Sequence, residues 1–178
     1  MFKSKLTRML TGAVMAVMVT AAIGISSVAP RADAAPSRRT HLSFSTVLTS
    51  QERHLTTVGA NLDHTFGSNF LTGTTTVAGQ PGTLQFVATV NYASGSGPWT
   101  GLITVTTPIG TFGITSQGQA TLSATTTNTT FGGTARVIGG TGAYVAMEGG
   151  GTISGIRQTS LGGTVNWQWD LIVTGLSS

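Results

Sequence analysis

Few side chains in this 178-residue chain can do acid–base chemistry, so each one counts. Glu148 stands in M-E-G-G-G, directly ahead of Gly149–Gly151. Turned into an apolar interior, its carboxyl would rise in pKa and become a general acid or base. At a strand end in water, near Arg136 or Arg157, it would be a solvated charge, and carboxylates are rarely buried without a partner. Asp63-His64, with His54 nearby, combines acid–base and metal-ligand residue types. A metal needs at least three convergent ligands, and no H-x-x-x-H or H-x-E spacing is present, so no metal is expected. Contact with a ligand at the mouth of a cavity is the stronger role for this pair.

The aromatic residues form the second group. Trp167 and Trp169 lie two apart and share one strand face with Val165 and Leu171, while Asn166, Gln168 and Asp170 take the other. Facing inward, the tryptophans would give an apolar guest an aromatic wall; two on one face also serve as core or interface filling. Tyr144 follows a glycine corner and is expected beneath it, contributing to the same wall. Trp99, just after Pro98, reads either as a mouth residue or as a plug at a strand start. Where the tryptophans point separates the readings: inward favours a cavity ligand, outward in a row favours a glycan platform or subunit contact.

The elements that must position these residues read as strands from His41 onward, rich in Val, Ile, Thr and aromatics and punctuated by glycine. Leu42–Thr49 places Leu42, Phe44, Thr46 and Leu48 on one face. Glu52–Ser68 is the least regular part and is expected to be a long connection with a short strand around Leu55–Leu62. Phe70–Ala78 ends at the turn signal Gly79-Gln80-Pro81-Gly82. Thr83–Ala93 sets Leu84, Phe86, Ala88 and Val90 at period two. Turns at Ser94–Pro98 and Pro108–Gly110 flank Trp99–Thr107. Thr111–Gly118, Gln119–Thr127, Phe131–Ile138, Met147–Arg157 and Thr164–Thr174 complete the set. Short strands with turn signals every 8–12 residues mean a sandwich or a barrel, and the pattern alone does not choose.

The first residues read as an export signal. Lys3, Lys5 and Arg8 precede the apolar run Leu10–Ile25, which is short for a membrane span, and Ala32-Asp33-Ala34 is a cleavage site. Residues 1–34 are therefore expected to be a signal peptide, 35–40 a flexible leader and 41–178 one domain that is secreted and has no membrane attachment. In that domain Arg38, Arg39, Arg53, Arg136 and Arg157 nearly balance Glu52, Asp63, Glu148 and Asp170. The basic footprint of a nucleic-acid binder is missing. With no cysteine, the domain must hold together by burial and backbone pairing. There is no G-x-S-x-G elbow and no lysine after the signal to complete a phosphate loop, and the glycine cluster precedes a strand, unlike a dinucleotide fingerprint. Asn128-Thr129-Thr130 is a glycosylation sequon, relevant in a eukaryotic host.

Val137–Gly155 reads V-I-G-G-T-G-A-Y-V-A-M-E-G-G-G-T-I-S-G. The G-G-T-G-x-Y run closing on Gly149 resembles the glycine signature of the allene oxide cyclase barrel family and its plant relatives, the dirigent proteins. Phe70–Gly73, the strand Leu84–Tyr92, the Ser94–Pro98 turn and the aromatic closing strand Val165–Gly175 follow the same order. The resemblance implies an all-β, eight-stranded antiparallel barrel with an apolar cavity, assembled as a homotrimer or homodimer. Its implied partner is a small apolar or aromatic molecule, whose cyclisation or coupling the barrel steers by confinement, in an isomerase/cyclase-like or dirigent-like activity without a cofactor. Thr46 stands where family members with known chemistry carry an acid, and Glu148 where dirigent proteins commonly carry an arginine. These changes reverse the electrostatics presented to a developing charge, so phenoxy radicals and fatty-acid epoxides are not carried over as substrates. The alternatives are a non-catalytic extracellular ligand-binding or structural module and a glycan-binding domain. Glu148 is the candidate catalytic group, Tyr144, Trp167 and Trp169 the candidate wall, and Asp63 and His64 the candidate entrance.

Overall fold

A computed structural model describes residues 38–158 and 163–176. The expected signal peptide lies outside the described residues. Eight strands follow in order: β1 (Thr40–Val58), β2 (His64–Val77), β3 (Gln80–Ala93), β4 (Gly97–Thr107), β5 (Gly110–Leu122), β6 (Thr129–Gly140), β7 (Glu148–Arg157) and β8 (Val165–Thr174). Each pairs antiparallel with the next, and β8 returns to β1, closing a barrel. Closure pairs the sheet edges with each other, which suits a cysteine-free chain of this size.

Alternation puts one face of each strand inside. Leu42, Phe44, Thr46 and Leu48 are buried, as are Leu84, Phe86, Ala88, Val90 and Tyr92, and Val165, Trp167, Trp169, Leu171 and Val173. An eight-stranded barrel has an interior just wide enough for side chains or one small ligand. Here aromatic rings take most of it. Trp167 sits at the centre, with ring centroids 5.0 Å from Phe131 and 5.4 Å from both Phe86 and Trp99. Glycines on the neighbouring strands make the room: a Cβ on Gly101 of β4 would lie 2.0 Å from the Phe86 ring of β3, and one on Gly155 of β7 would lie 2.7 Å from Trp167 Cε3 of β8.

Two stretches differ from the sequence expectation. Glu52–Ser68 is not a loose connection: β1 runs unbroken to Val58 and pairs with β2 up to His64. Its register shifts between Ser50 and Glu52, so Gln51 forms a bulge. The bulge reverses which side chains face inward, from even positions up to Leu48 to odd positions at Arg53 and Leu55, and this breaks the period-two pattern in the sequence. The windows Thr111–Gly118 and Gln119–Thr127 are one strand, β5, ending at Leu122. Thr40, expected to end the leader, already belongs to β1.

The barrel has two unlike ends. One carries the β6–β7 connection, a short 3₁₀ turn at Gly142–Tyr144, together with the β2–β3 and β4–β5 turns; we call it the plug end. The other carries the β1–β2, β3–β4 and β5–β6 turns and is called the arm end, because β1 outruns its pairing with β8, which spans Thr40–Leu48. There the β1–β2 turn is tied to the β3–β4 turn by the Ser94 N–H donating to the Asp63 carbonyl, 2.7 Å.

Candidate functional site

A cavity of about 40 Å³ lies inside the barrel at the arm end. Leu71, Phe86, Ala88, Val90, Phe131, Val165 and Trp167 give it apolar walls; Leu55, Asn69, Tyr92 and Arg157 complete the lining. A water needs roughly 10–15 Å³ on this scale, so the space takes only a few waters or one small functional group.

Arg157 is the notable member. It ends β7 on the inward face set by Ile153 and Gly155, and only 7% of it is exposed. Its Nη2 donates to Thr129 Oγ1 at 2.9 Å, across the β6–β7 pair, and its guanidinium lies 5.6 Å from the Phe131 ring centre. Both contacts orient a cation that burial would otherwise disfavour. Burial lowers its pKa, opposed by the attraction of Tyr92, yet a guanidinium keeps its proton in proteins. Tyr92 ends the inward row of β3, and burial pushes its phenol up to about 12, with Arg157 pulling the other way. It is a neutral hydroxyl at any physiological pH.

The remaining polar groups are an amide and an indole. Ser50 donates its hydroxyl to Asn69 Oδ1, 2.6 Å, which leaves Asn69 its two amide N–H donors and one oxygen lone pair to offer. Trp167 lays its Cε3–Cζ3 edge over Gly155, so the opposite edge, carrying Nε1–H, points away from β7. That N–H, like those of Trp99 and Trp169, is buried and meets no acceptor among the described residues. A buried donor without an acceptor is costly unless a guest supplies one.

The sequence candidates fall in three places. Trp167 lines the cavity; Trp169 is fully buried toward the plug end, stacked 5.0 Å on Phe44. Trp99 is neither a mouth residue nor an exposed platform; it is buried against Phe86 and Trp167. With all three tryptophans inside, the glycan platform has no exposed tryptophan to use.

Tyr144 is fully buried at the plug end, away from the cavity lining. Its ring tilts onto Phe112 at 4.8 Å and its hydroxyl meets Thr107 Oγ1 at 3.1 Å. Thr107 in turn donates to the Gly110 carbonyl, so the tyrosine is the donor to Thr107. A Cβ on Gly140 would lie 2.8 Å from that of Tyr144, so the glycine corner is what lets the plug seat.

Glu148 is exposed at the start of β7 and borders an open outer groove with Arg136, Ile138 and Val145. It does not face the barrel interior, the condition on which a catalytic role rested. Asp63 and His64 are exposed at the tip of the arm, at the cavity's end of the barrel but outside its lining. His54 is paired with Glu52 Oε1, 2.6 Å, on the outer side of β1. Thr46, at the position of the family acid, is buried and donates to the Thr74 carbonyl at 2.6 Å. Among the described residues no three histidine or carboxylate side chains converge.

Sequence reasoning passed over Arg157, Tyr92, Asn69 and Leu55. For the first two the signal was present: period two from Ile153 and Gly155 reaches Arg157, and from Leu84 through Val90 reaches Tyr92. Leu55 and Asn69 depend on the bulge at Gln51, which leaves no such mark. No protein-family model matches the chain, and no curated protein matches it.

Proposed function

We propose that this chain is an exported barrel that binds a small apolar or aromatic molecule at its arm end, as a carrier without acid–base machinery of its own. The single observation behind this reading is the interior cavity, aromatic on its walls and edged by Arg157, Tyr92 and Asn69. Concave, mostly apolar sites with a few placed polar groups are what small-molecule recognition uses. At about 40 Å³ the space is far below the roughly 300–1,000 Å³ of drug-sized sites, so a guest inserts one group and leaves the rest near the half-buried rim of Leu55 and Asn69.

Among the described residues no carboxylate or imidazole lines the cavity, and neither Arg157 nor Tyr92 exchanges a proton near neutral pH. This favours the carrier over the cyclase implied by the likeness to allene oxide cyclases; any steering of a guest's chemistry there would act through shape alone. Export is supported by the basic start, apolar run and A-x-A site of residues 1–34. Assembly as a homodimer or homotrimer is supported by an outer stripe in which Phe70 faces Val87 and Val87 faces Leu102, with Phe66 further along β2; Phe66, Val87 and Leu102 are each about half exposed.

Native mass spectrometry of protein collected from its host's medium, then denatured extraction, tests the reading. A small apolar or aromatic compound retained by the chain is expected, and the same spectrum gives the subunit number. A chain that carries nothing, and takes up nothing from a panel of small aromatics, would leave a structural module.

A further inference from the structure

The seam between β6 and β7 opens toward the plug end. Their pairing stops at Arg136 and Gly150, although β6 continues to Gly140 and β7 begins at Glu148. Beyond that point Val137 and Gly139 keep partners in β5, and Glu148 and Gly149 keep theirs in β8. Each of these segments therefore has a strand neighbour on one side only. Ile138 is a bulged residue, opposite no residue of β5 or β7. The parted strands bound an outer groove of about 780 Å³, inside the range of roughly 300–1,000 Å³ for ligand sites.

The groove's two buried lining side chains, Val137 and Met147, are apolar, and exposed Ile138 and Val145 border it. Its two charges are Arg136 and Glu148, both exposed. Among the described residues neither makes an ion pair or a side-chain hydrogen bond. Glu148 lies two residues before Gly150, the partner of Arg136, so the opposite charges are offset by two strand positions, about 7 Å along the seam. An extended chain repeats its side chains on one face at that same interval, with the intervening residue on the other face.

We propose that this groove is a strand-addition site for an extended peptide of a partner protein. In that peptide an acidic and a basic residue, two apart, answer Arg136 and Glu148, and the apolar residue between them rests on Val137 and Met147. The open sides of the parted strands supply main-chain hydrogen bonds, and the charges select the partner. The site lies outside the barrel and is independent of the small-molecule cavity at the arm end.

The probe is the peptide Thr-Glu-Val-Lys-Thr with both ends blocked, titrated into the isotope-labelled full chain and followed by amide chemical shifts. Saturable shifts are expected at Val137–Gly139 and Glu148–Gly149. A peptide with glutamine in place of both charged residues should bind weaker by roughly two- to thirtyfold, the worth of two surface ion pairs. Arg136→Met, a change at an exposed side chain, should narrow that gap. A peptide N-methylated at its valine and lysine keeps both charges but can pair along neither edge, and should not bind. Binding of the methylated peptide as tight as the parent's would overturn strand addition. Equal affinity for the charged and glutamine peptides would overturn the charge match. Shifts confined to other parts of the barrel, or no binding at millimolar concentration, would overturn the site itself. The peptide series on the unaltered chain decides the matter whatever Arg136→Met does to folding.

Discussion

The plug end and the arm end of this barrel are built from the same alternating strands and are filled to different degrees. At the plug end the tyrosine donates to a threonine, the threonine to a backbone carbonyl, and aromatic rings close the space. At the arm end Tyr92 and Arg157, the latter held by Thr129, edge an opening in the packing. A polar group whose partners are internal holds a fold together. Arg157 has an internal partner too, in Thr129, but it borders a space that the side chains leave unfilled. Substitutions at the plug end should therefore cost stability and spare ligand selectivity, and those at the arm end should do the reverse.

Tyr144→Ala breaks the plug most severely. It removes a fully buried ring, and a loss of about 3–5 kcal/mol is expected, as for large aromatic deletions. Denaturant unfolding measures it; a cost below about 1 kcal/mol would mean the plug is dispensable. Gly155→Ala sharpens the contrast from the middle of the barrel. Its Cβ meets Trp167, so a loss of about 1–3 kcal/mol is expected, with a shift in tryptophan emission as the ring is displaced.

Tyr92→Phe probes the arm end through pH. The folded chain holds the Tyr92 proton up to about pH 12, while the unfolded chain releases it near 10. Between those values the folded state binds more protons, so this contribution is intact below pH 10 and is lost as pH rises through 12. The phenylalanine variant lacks that slope, and its alkaline unfolding, followed by circular dichroism, should begin at higher pH. An unchanged alkaline limb would mean that Tyr92 is not held as the structure implies. Glu148→Gln, outside both ends' interiors, should be the mildest change, within about 0.5 kcal/mol in stability and without effect on ligand binding in the cavity. A large loss of ligand binding there would return the outer groove to consideration.

The contrast between the ends also marks what the sequence could tell. Alternation alone places Leu42 to Leu48, Leu84 to Val90 and Val165 to Leu171 on buried faces, and the structure has them there. Closure into a barrel was not legible from alternation, because a sandwich buries one face in the same way. The glycine corner at Gly139–Gly142 pointed to the plug end, where it seats Tyr144. It drew attention to Glu148, an exposed neighbour, while the buried cation lay nine residues further along the same strand. Arginine at a strand end ordinarily reads as solvated, and only the period of β7 carried across Gly155 argues otherwise. The β1 arm was illegible for a different reason. One bulged residue swaps the inward and outward sets, and Thr- and Ser-rich strands hold no hydrophobic pattern strong enough to reveal the swap.

A crystal structure of the full chain grown with phenol tests the central claim, a small-molecule site at the arm end, most directly. The account predicts one molecule at the arm end, with one group inserted beside Val165 and Trp167 and the rest near Leu55 and Asn69. A molecule seated instead in the outer groove beside Glu148, or a cavity into which the probe does not enter, would contradict it.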